Sequence, residues 1–267
     1  MQQEQNEEMK EQMERERGEI KRFLAIMSGK GGVGKSTVTA LLASGMKKRG
    51  LEIGVLDADI TGPSIPRMMG VNERISVDGN MMLPPYSAHG IKAMSANLVL
   101  EKEDDALIWR GPMVSNALRQ FWEETRWGDL DYLLVDLPPG TSDAPLTVMQ
   151  ILPATEVLII TSPQVLASMI VRKAINMARK VGSRVIGVVE NMGTARCPHC
   201  GESFELFRGG GTDKITQEMK IPLLGKLPYD PRIAELCDRG EIELFESEEV
   251  DSMVAAVMEM SGGVLGG

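Results

Sequence analysis

The chain is short of cysteine, aromatic residues and long apolar runs, and each shortage removes a class of protein. Three cysteines in 267 residues, two of them in one Cys-x-x-Cys, cannot make a disulfide scaffold and fit a reducing compartment. No stretch approaches the ~18 consecutive apolar residues of a membrane-spanning helix. The charged start "MQQEQNEEMKEQ" is no secretory signal, so the cytoplasm is the expected location. Basic residues are also scarce, with 29 Lys and Arg against 38 Asp and Glu and a net charge of −9. That balance argues against a surface for nucleic acid or anionic membrane. Aromatics make up 4% of the chain while methionine occurs 19 times, mostly inside apolar runs, where it fills core positions.

The remaining composition, 43% hydrophobic and 25% charged, is that of a soluble globular protein long enough to bury a real core. Residues 1–20 alternate charge with Gln and Met and read as a solvated helix or frayed arm. From residue 21 to 260 the pattern is that of one domain. "RFLAIMS", "EIGVLDAD", "DYLLVDLP", "EVLIITS", "RVIGVVEN" and "IPLLGKLP" read as buried strands. Helix-period segments lie between them at 35–49, 112–126, 143–151, 165–181, 211–219 and 231–239. Buried strands alternating with helices predict an α/β fold, a mostly parallel sheet with helices on both faces. Residues 61–90 and 191–210 read as long functional loops, and 261–267, "SGGVLGG", as a flexible tail.

The strongest motif is "SGKGGVGKST". Gly29 to Ser36 satisfies G-x-x-x-x-G-K-[ST], directly after a strand and opening a helix, as a P-loop NTPase domain requires. Gly29, Gly31, Gly32, Val33 and Gly34 let backbone N–H groups curl around phosphate, and the helix start with Thr37 adds its positive dipole end. Lys35 would reach the β- and γ-phosphates of ATP, and the Ser36 hydroxyl would sit on Mg²⁺. Asp57 and Asp59 end the second strand, at the edge where α/β sheets bind ligands. Asp136 ends an apolar strand of Walker B shape and would hold Mg²⁺ through water, with Pro138-Pro139-Gly140 opening a switch. Asp143 would serve that switch or cap the helix that follows, with the cap favoured.

"CPHCGES" supplies Cys197 and Cys200 at metal-ligand spacing and no more. Three chemistries fit two such thiolates: a redox pair, half of a Cys₄ zinc site, or half of an iron–sulfur site. His199 reads as a loop residue, and Cys237, on a late amphipathic helix, as a small buried or half-buried one.

The second lysine of the phosphate loop, Lys30 in "GKGGVGK", resembles the deviant Walker A motif of the MinD/nitrogenase iron-protein class of dimeric ATPases. "WRGPMVSNALRQFWEETRWGDLDYLLVDLPPGTSDAPLTV", "GPSIPRMMG", "HGIKAMS" and "CPHCGESFELFRGGG" together resemble its Mrp/ApbC branch, over roughly residues 20–245. That resemblance implies an ATP-hydrolysing carrier of iron–sulfur clusters working as a homodimer. Lys30 would reach the partner's nucleotide, Asp59 would act on the attacking water, and Asp57 would touch Mg²⁺ through water. Asn191 would hydrogen-bond adenine, with "LPYDP" wrapping the base. Cys197 and Cys200 would meet their mates across the two-fold, hold one 4Fe–4S cluster and pass it to apo-proteins. The chain departs from the family pattern in having no four-cysteine cluster before the phosphate loop, and Ser142 where Gly is common. Two rival readings are a zinc-stapled regulatory ATPase dimer and a MinD/ParA-like positioning ATPase. The end "MVAAVMEMSGGVLGG" has no Lys or Arg to serve the second.

Overall fold

Strand β1 (Phe23–Ser28) buries every residue after its first, and its side chains alternate between two cores. Leu24 and Ile26 face one layer, Ala25 and Met27 the other, the period of two that a doubly covered strand requires. The same division runs through β2 (Ile53–Asp57), β6 (Tyr132–Asp136) and β7 (Glu156–Thr161). The computed structural model describes residues 11–60, 62–99, 111–153, 156–164, 167–197, 199–207 and 211–262. Within them the main sheet runs β10-β8-β7-β1-β6-β2-β5, with β5 at Lys92–Ser95, β8 at Arg184–Arg196 and β10 at Leu223–Tyr229. All pairings along this path are parallel.

One face is covered by α2 (Lys35–Lys48), α3 (Ile65–Met68) and α9 (Glu248–Met260). The other is covered by α4 (Gly111–Glu123), α5 (Asp143–Ile151), α6 (Ala167–Val181) and α7 (Gly211–Met219). Helix α8 (Pro231–Arg239) packs its Ile233, Leu236 and Cys237 on the edge of the first core. Burial raises the Cys237 thiol above its ordinary pKa, as expected of a half-buried structural cysteine. Met27, Met46, Met69, Met94 and Met253 occupy the core as expected, at 1% exposure or less, whereas Met113 and Met169 are exposed.

Several segments differ from the sequence reading. Residues 61–90 hold α3 and an antiparallel hairpin of β3 (Ser76–Asp78) and β4 (Met81–Leu83). Strand β5 extends the sheet beyond β2. Residues 191–210 are not simply a loop: β8 continues to Arg196, and β9 (Ser203–Glu205) pairs back on it. The C-terminal segment forms α9, capped by the Ser247 hydroxyl and burying Val250, Met253, Val254 and Val257. Of the expected tail, Ser261 is buried against the Tyr132 hydroxyl at 2.7 Å, and residues 263–267 lie outside the described residues.

The N-terminal arm is docked where it is described. Helix α1 (residues 11–17) lies against the body: Arg17 sits 4.1 Å over the Trp122 ring, and Glu16 pairs with Arg126 at 3.0 Å. Arg126 reaches on to Asp78 at 2.7 Å and so ties the arm to the β3–β4 hairpin.

Candidate functional site

Four parallel strands, β1, β2, β6 and β7, deliver their C-terminal ends to one edge, and the phosphate loop crosses that edge between β1 and α2. Gly34 takes the N-cap position of α2 with φ 79°, a left-handed conformation that costs glycine nothing. A Cβ there would come within 2.2 Å of Asn191 Nδ2, and one at Gly29 within 2.0 Å of Ile170. Sequence and packing thus demand glycine at both positions. The loop walls an open cleft of about 260 Å³, lined by Gly31, Gly32, Lys35, Ser36, Thr37 and Asp59 among others.

Asp136 organises the floor of this cleft. Its carboxylate is fully buried and accepts from Lys35 Nζ and Ser36 Oγ, each at 2.6 Å, on one oxygen and from Thr39 Oγ1 at 2.8 Å on the other. A buried charge needs this partnering, because an unpaired carboxylate here would be strongly penalised. The hydroxyl of Ser36 and the carboxylate of Asp136 are hard oxygen donors side by side beneath the cleft, a donor set that suits Mg²⁺. Thr39 escaped the sequence reading. Its signal was the four-residue step from Lys35, which puts both on one face of α2.

Asp57 is the cross-strand neighbour of Asp136 and is buried. Its carboxylate accepts the N–H of Asp59 at 3.2 Å, Ser64 at 2.9 Å and Ile65 at 3.1 Å, anchoring the turn from β2 into α3. Burial, and then the negative charge of Asp136, push its pKa up to about 7 against the pull of the amides from Ile65 and Ser64. Asp59, by contrast, is half-buried and lines the cleft.

On the other side of the loop, Lys30 donates to Gln164 Oε1 in the segment after β7. Gln164 was not singled out from sequence; a polar residue just past the C-terminal end of a buried strand was its signal. The Gly140 N–H donates to the Ser28 carbonyl at 2.9 Å, fastening the segment after β6 to the end of β1. Asp143 is the first residue of α5 and not its cap. Ser142 holds the cap position with extended backbone and no side-chain bond, so Asp143 contributes charge to the first turn instead. Asn191 is buried on β8 and donates from Nδ2 to the Val33 carbonyl at 3.0 Å, against the back of the phosphate loop. "LPYDP" spans the end of β10 and the start of α8, where Asp230 caps the helix through the Arg232 N–H at 2.9 Å.

The same β8 carries the cysteines. Beyond Asn191 the strand bulges: Met192 has φ 59°, and pairing with β10 skips from Leu227–Asn191 to Tyr229–Ala195. Cys197 follows the end of β8. Its N–H donates to the Glu202 carbonyl, and its carbonyl accepts from the Gly201 N–H, both at 2.9 Å, closing a tight turn. The backbone N–H of Cys200, that of His199 and the Cys200 thiol all lower the Cys197 pKa. Amides that lower a thiol's pKa favour the thiolate, the form in which cysteine binds a soft metal. Cys200 is exposed, as are Phe204, Leu206 and Tyr229 nearby in the chain or across the pairing. Among the described residues no three His, Cys, Asp or Glu side chains gather to hold a metal ion, so this hairpin offers two thiolates from one chain.

Known proteins resemble this chain in sequence and in fold. An iron–sulfur cluster carrier protein of Clostridium perfringens is 45% identical over 239 residues, covering 86% of this chain and 84% of its own. A cytosolic Fe-S cluster assembly factor, the Nubp1 homolog of Drosophila willistoni, is 47% identical over 84% of this chain and 76% of its own. The ADP complex of a nucleotide-binding protein from Archaeoglobus fulgidus, with Co, superposes with a TM-score of 0.79 at 40% identity. It covers 90% of this chain and 94% of that one. MinD of Pyrococcus furiosus shares the fold at a TM-score of 0.65 and 22% identity, over 91% and 99% of the two chains. The family model described as ParA: NUBPL iron-transfer P-loop NTPase matches residues 19–264, and it is to this family of P-loop NTPases that the chain belongs.

Proposed function

We propose that the protein is an ATP-hydrolysing iron–sulfur cluster carrier in which two copies face one another, share one 4Fe–4S cluster, and pass it to apo-proteins. The observation that carries this reading is the path of β8. One strand braces the phosphate loop through Asn191 and six residues later presents Cys197, with Cys200 beyond it. A nucleotide site and half of a soft-metal site thus share an element, and a two-fold axis turns two cysteines into four. The names of the relatives from Clostridium and Drosophila support the cargo, and the ADP complex from Archaeoglobus supports the nucleotide. The word "cytosolic" in the Drosophila relative's name accords with a cytoplasmic location.

The roles then follow from position. Lys35 and the loop glycines hold the phosphates, while Asn191 braces the loop from behind, and its role toward adenine rests on the resemblance to relatives alone. Ser36 and Asp136 would hold Mg²⁺, which supplies charge neutralisation at the phosphates. Asp59 reaches the cleft from the β2 end and is placed to orient the attacking water, while Asp57 fixes the turn that carries it. Lys30 crosses to the partner's nucleotide and neutralises charge developing there. The cluster itself is cargo, held by Cys197 and Cys200 of both copies.

Zinc is the rival occupant, because amide-supported thiolates suit it equally. Anaerobic purification followed by an absorption spectrum and iron, sulfide and zinc assays decides between them. Iron and sulfide in equal amounts at about half a cluster per chain support the carrier, and stoichiometric zinc without sulfide sinks it. The positioning reading is weakened by α9, whose apolar residues are buried against the body and not offered to a lipid surface. No described helix is long and apolar enough to cross a membrane.

A further inference from the structure

The two lysines of the phosphate loop are held differently. Lys35 faces the cleft floor and is bonded to Asp136, whereas Lys30 does not line the cleft and is turned toward the end of β7. Its ammonium is accepted by Gln164 Oε1, in a segment that is itself braced. The Gln164 N–H donates to the Ser162 carbonyl at 2.8 Å, Pro163 fixes the backbone between them, and Ser162 is 1% exposed. Gln164 is therefore a preset acceptor, not a wandering surface amide. Close to Lys30, Gly32 adopts φ 74°, with no atom within 4 Å of where a Cβ would stand, so the loop has room to turn.

We propose that Gln164 is a positioning residue that parks Lys30 within its own protomer until a second, nucleotide-loaded copy arrives to take it. This rests on the trans role given to Lys30 above. An amide oxygen is well suited to such parking, because its bond to an ammonium is charge-assisted yet carries no opposing charge that would lock the lysine in place. A lysine held in cis cannot neutralise phosphate in trans, so releasing it becomes part of the cost of dimer assembly. The isolated chain is thereby kept from completing a site by itself.

The test is sedimentation of the full chain with a non-hydrolysable ATP analogue and Mg²⁺, which gives the dimer dissociation constant. Gln164→Leu removes the acceptor and is expected to tighten the dimer about tenfold, the worth of one charge-assisted bond. Gln164→Glu strengthens the hold and is expected to weaken the dimer by a similar factor. Neither shift survives in a Lys30→Ala background, which separates parking from a merely structural effect of position 164. ADP affinity and thermal midpoint, measured alongside, confirm that each variant is folded. An unchanged or weakened dimer in folded Gln164→Leu overturns the proposal, and so does an equal shift in the Lys30→Ala background. If Lys30→Ala alone neither weakens the dimer nor slows ATP hydrolysis, the trans reading falls and the parking role falls with it. Loss of dimer in Lys30→Ala with silent Gln164 variants removes the parking role alone.

Discussion

At the phosphate loop each oxygen of Asp136 has a donor within 2.8 Å and the carboxylate is fully buried. At the cysteine hairpin Cys200 is exposed, and the Glu202 carboxylate stands 3.9 Å from its sulfur. The buried carboxylate of the first site is fully partnered within one chain, and removing Lys35 would leave its charge uncompensated. The second is finished only in its backbone, where amides hold Cys197 ready and its outward side remains open. On the proposed reading, a two-fold axis would supply the rest.

Changes on the open side should cost cargo and nothing else. Cys197→Ala is expected to abolish cluster reconstitution while ADP affinity stays within about twofold of wild type. Equal iron content in that variant would show that the cluster sits elsewhere. On the complete side the cost is stability. Asp136→Ala strands Lys35 in a buried position and is expected to destabilise the nucleotide-free protein by about 3 kcal/mol. Chemical denaturation measures this, and a loss below about 1 kcal/mol would mean that Lys35 swings freely into solvent.

The nucleotide half also responds to pH. Asp57 titrates near 7 in the fold against an unfolded value of 3.8, so between those values the folded state holds the extra proton. Its contribution to stability is greatest below about pH 4 and is lost as pH rises toward 7. Asp57→Asn should flatten that decline in denaturation midpoints, and an unaltered slope would assign it to other groups. A smaller effect is expected at the bulge below the hairpin. Met192→Gly relieves a left-handed residue and should stabilise the chain by roughly 1 kcal/mol in thermal melts. Smallest of all, Arg17→Ala removes the contact over Trp122 and should cost about 0.5 kcal/mol, confirming that the arm is docked.

The nucleotide half was legible because its chemistry is local. Gly29 to Ser36 is one unbroken motif, and the strands delivering Asp57 and Asp136 are long apolar runs. What escaped depends on distant parts of the chain. Strand β5 is four residues, "KAMS", whose burial comes from β2 and α3 rather than from its own pattern. Helix α9 lies in a segment whose lack of Lys and Arg is its most visible trait, although Val250, Met253, Val254 and Val257 carry a helical period. Gln164 and Thr39 became visible only once β7 and α2 were laid beside the loop and Asp136. Asp143 shows the limit of local rules: Ser142 and Asp143 both suit a cap, and only the extended backbone at Ser142 decides between them.

Strand β8 leaves its neighbour β7 at Glu190 and runs on beside β10 to Ala195, with β9 pairing on its far end from Thr194 to Arg196. The chain from Asn191, bonded to the Val33 carbonyl of the phosphate loop, to Cys197 would amplify any tilt that took Asn191 as its pivot. Six residues from Asn191 to Cys197 span at most about 20 Å, so a tilt of about 10° at the pivot would carry the tip some 3 Å. Metal–sulfur distances tolerate only about 0.2 Å. On the proposed shared site, such a movement would exceed that tolerance many times over.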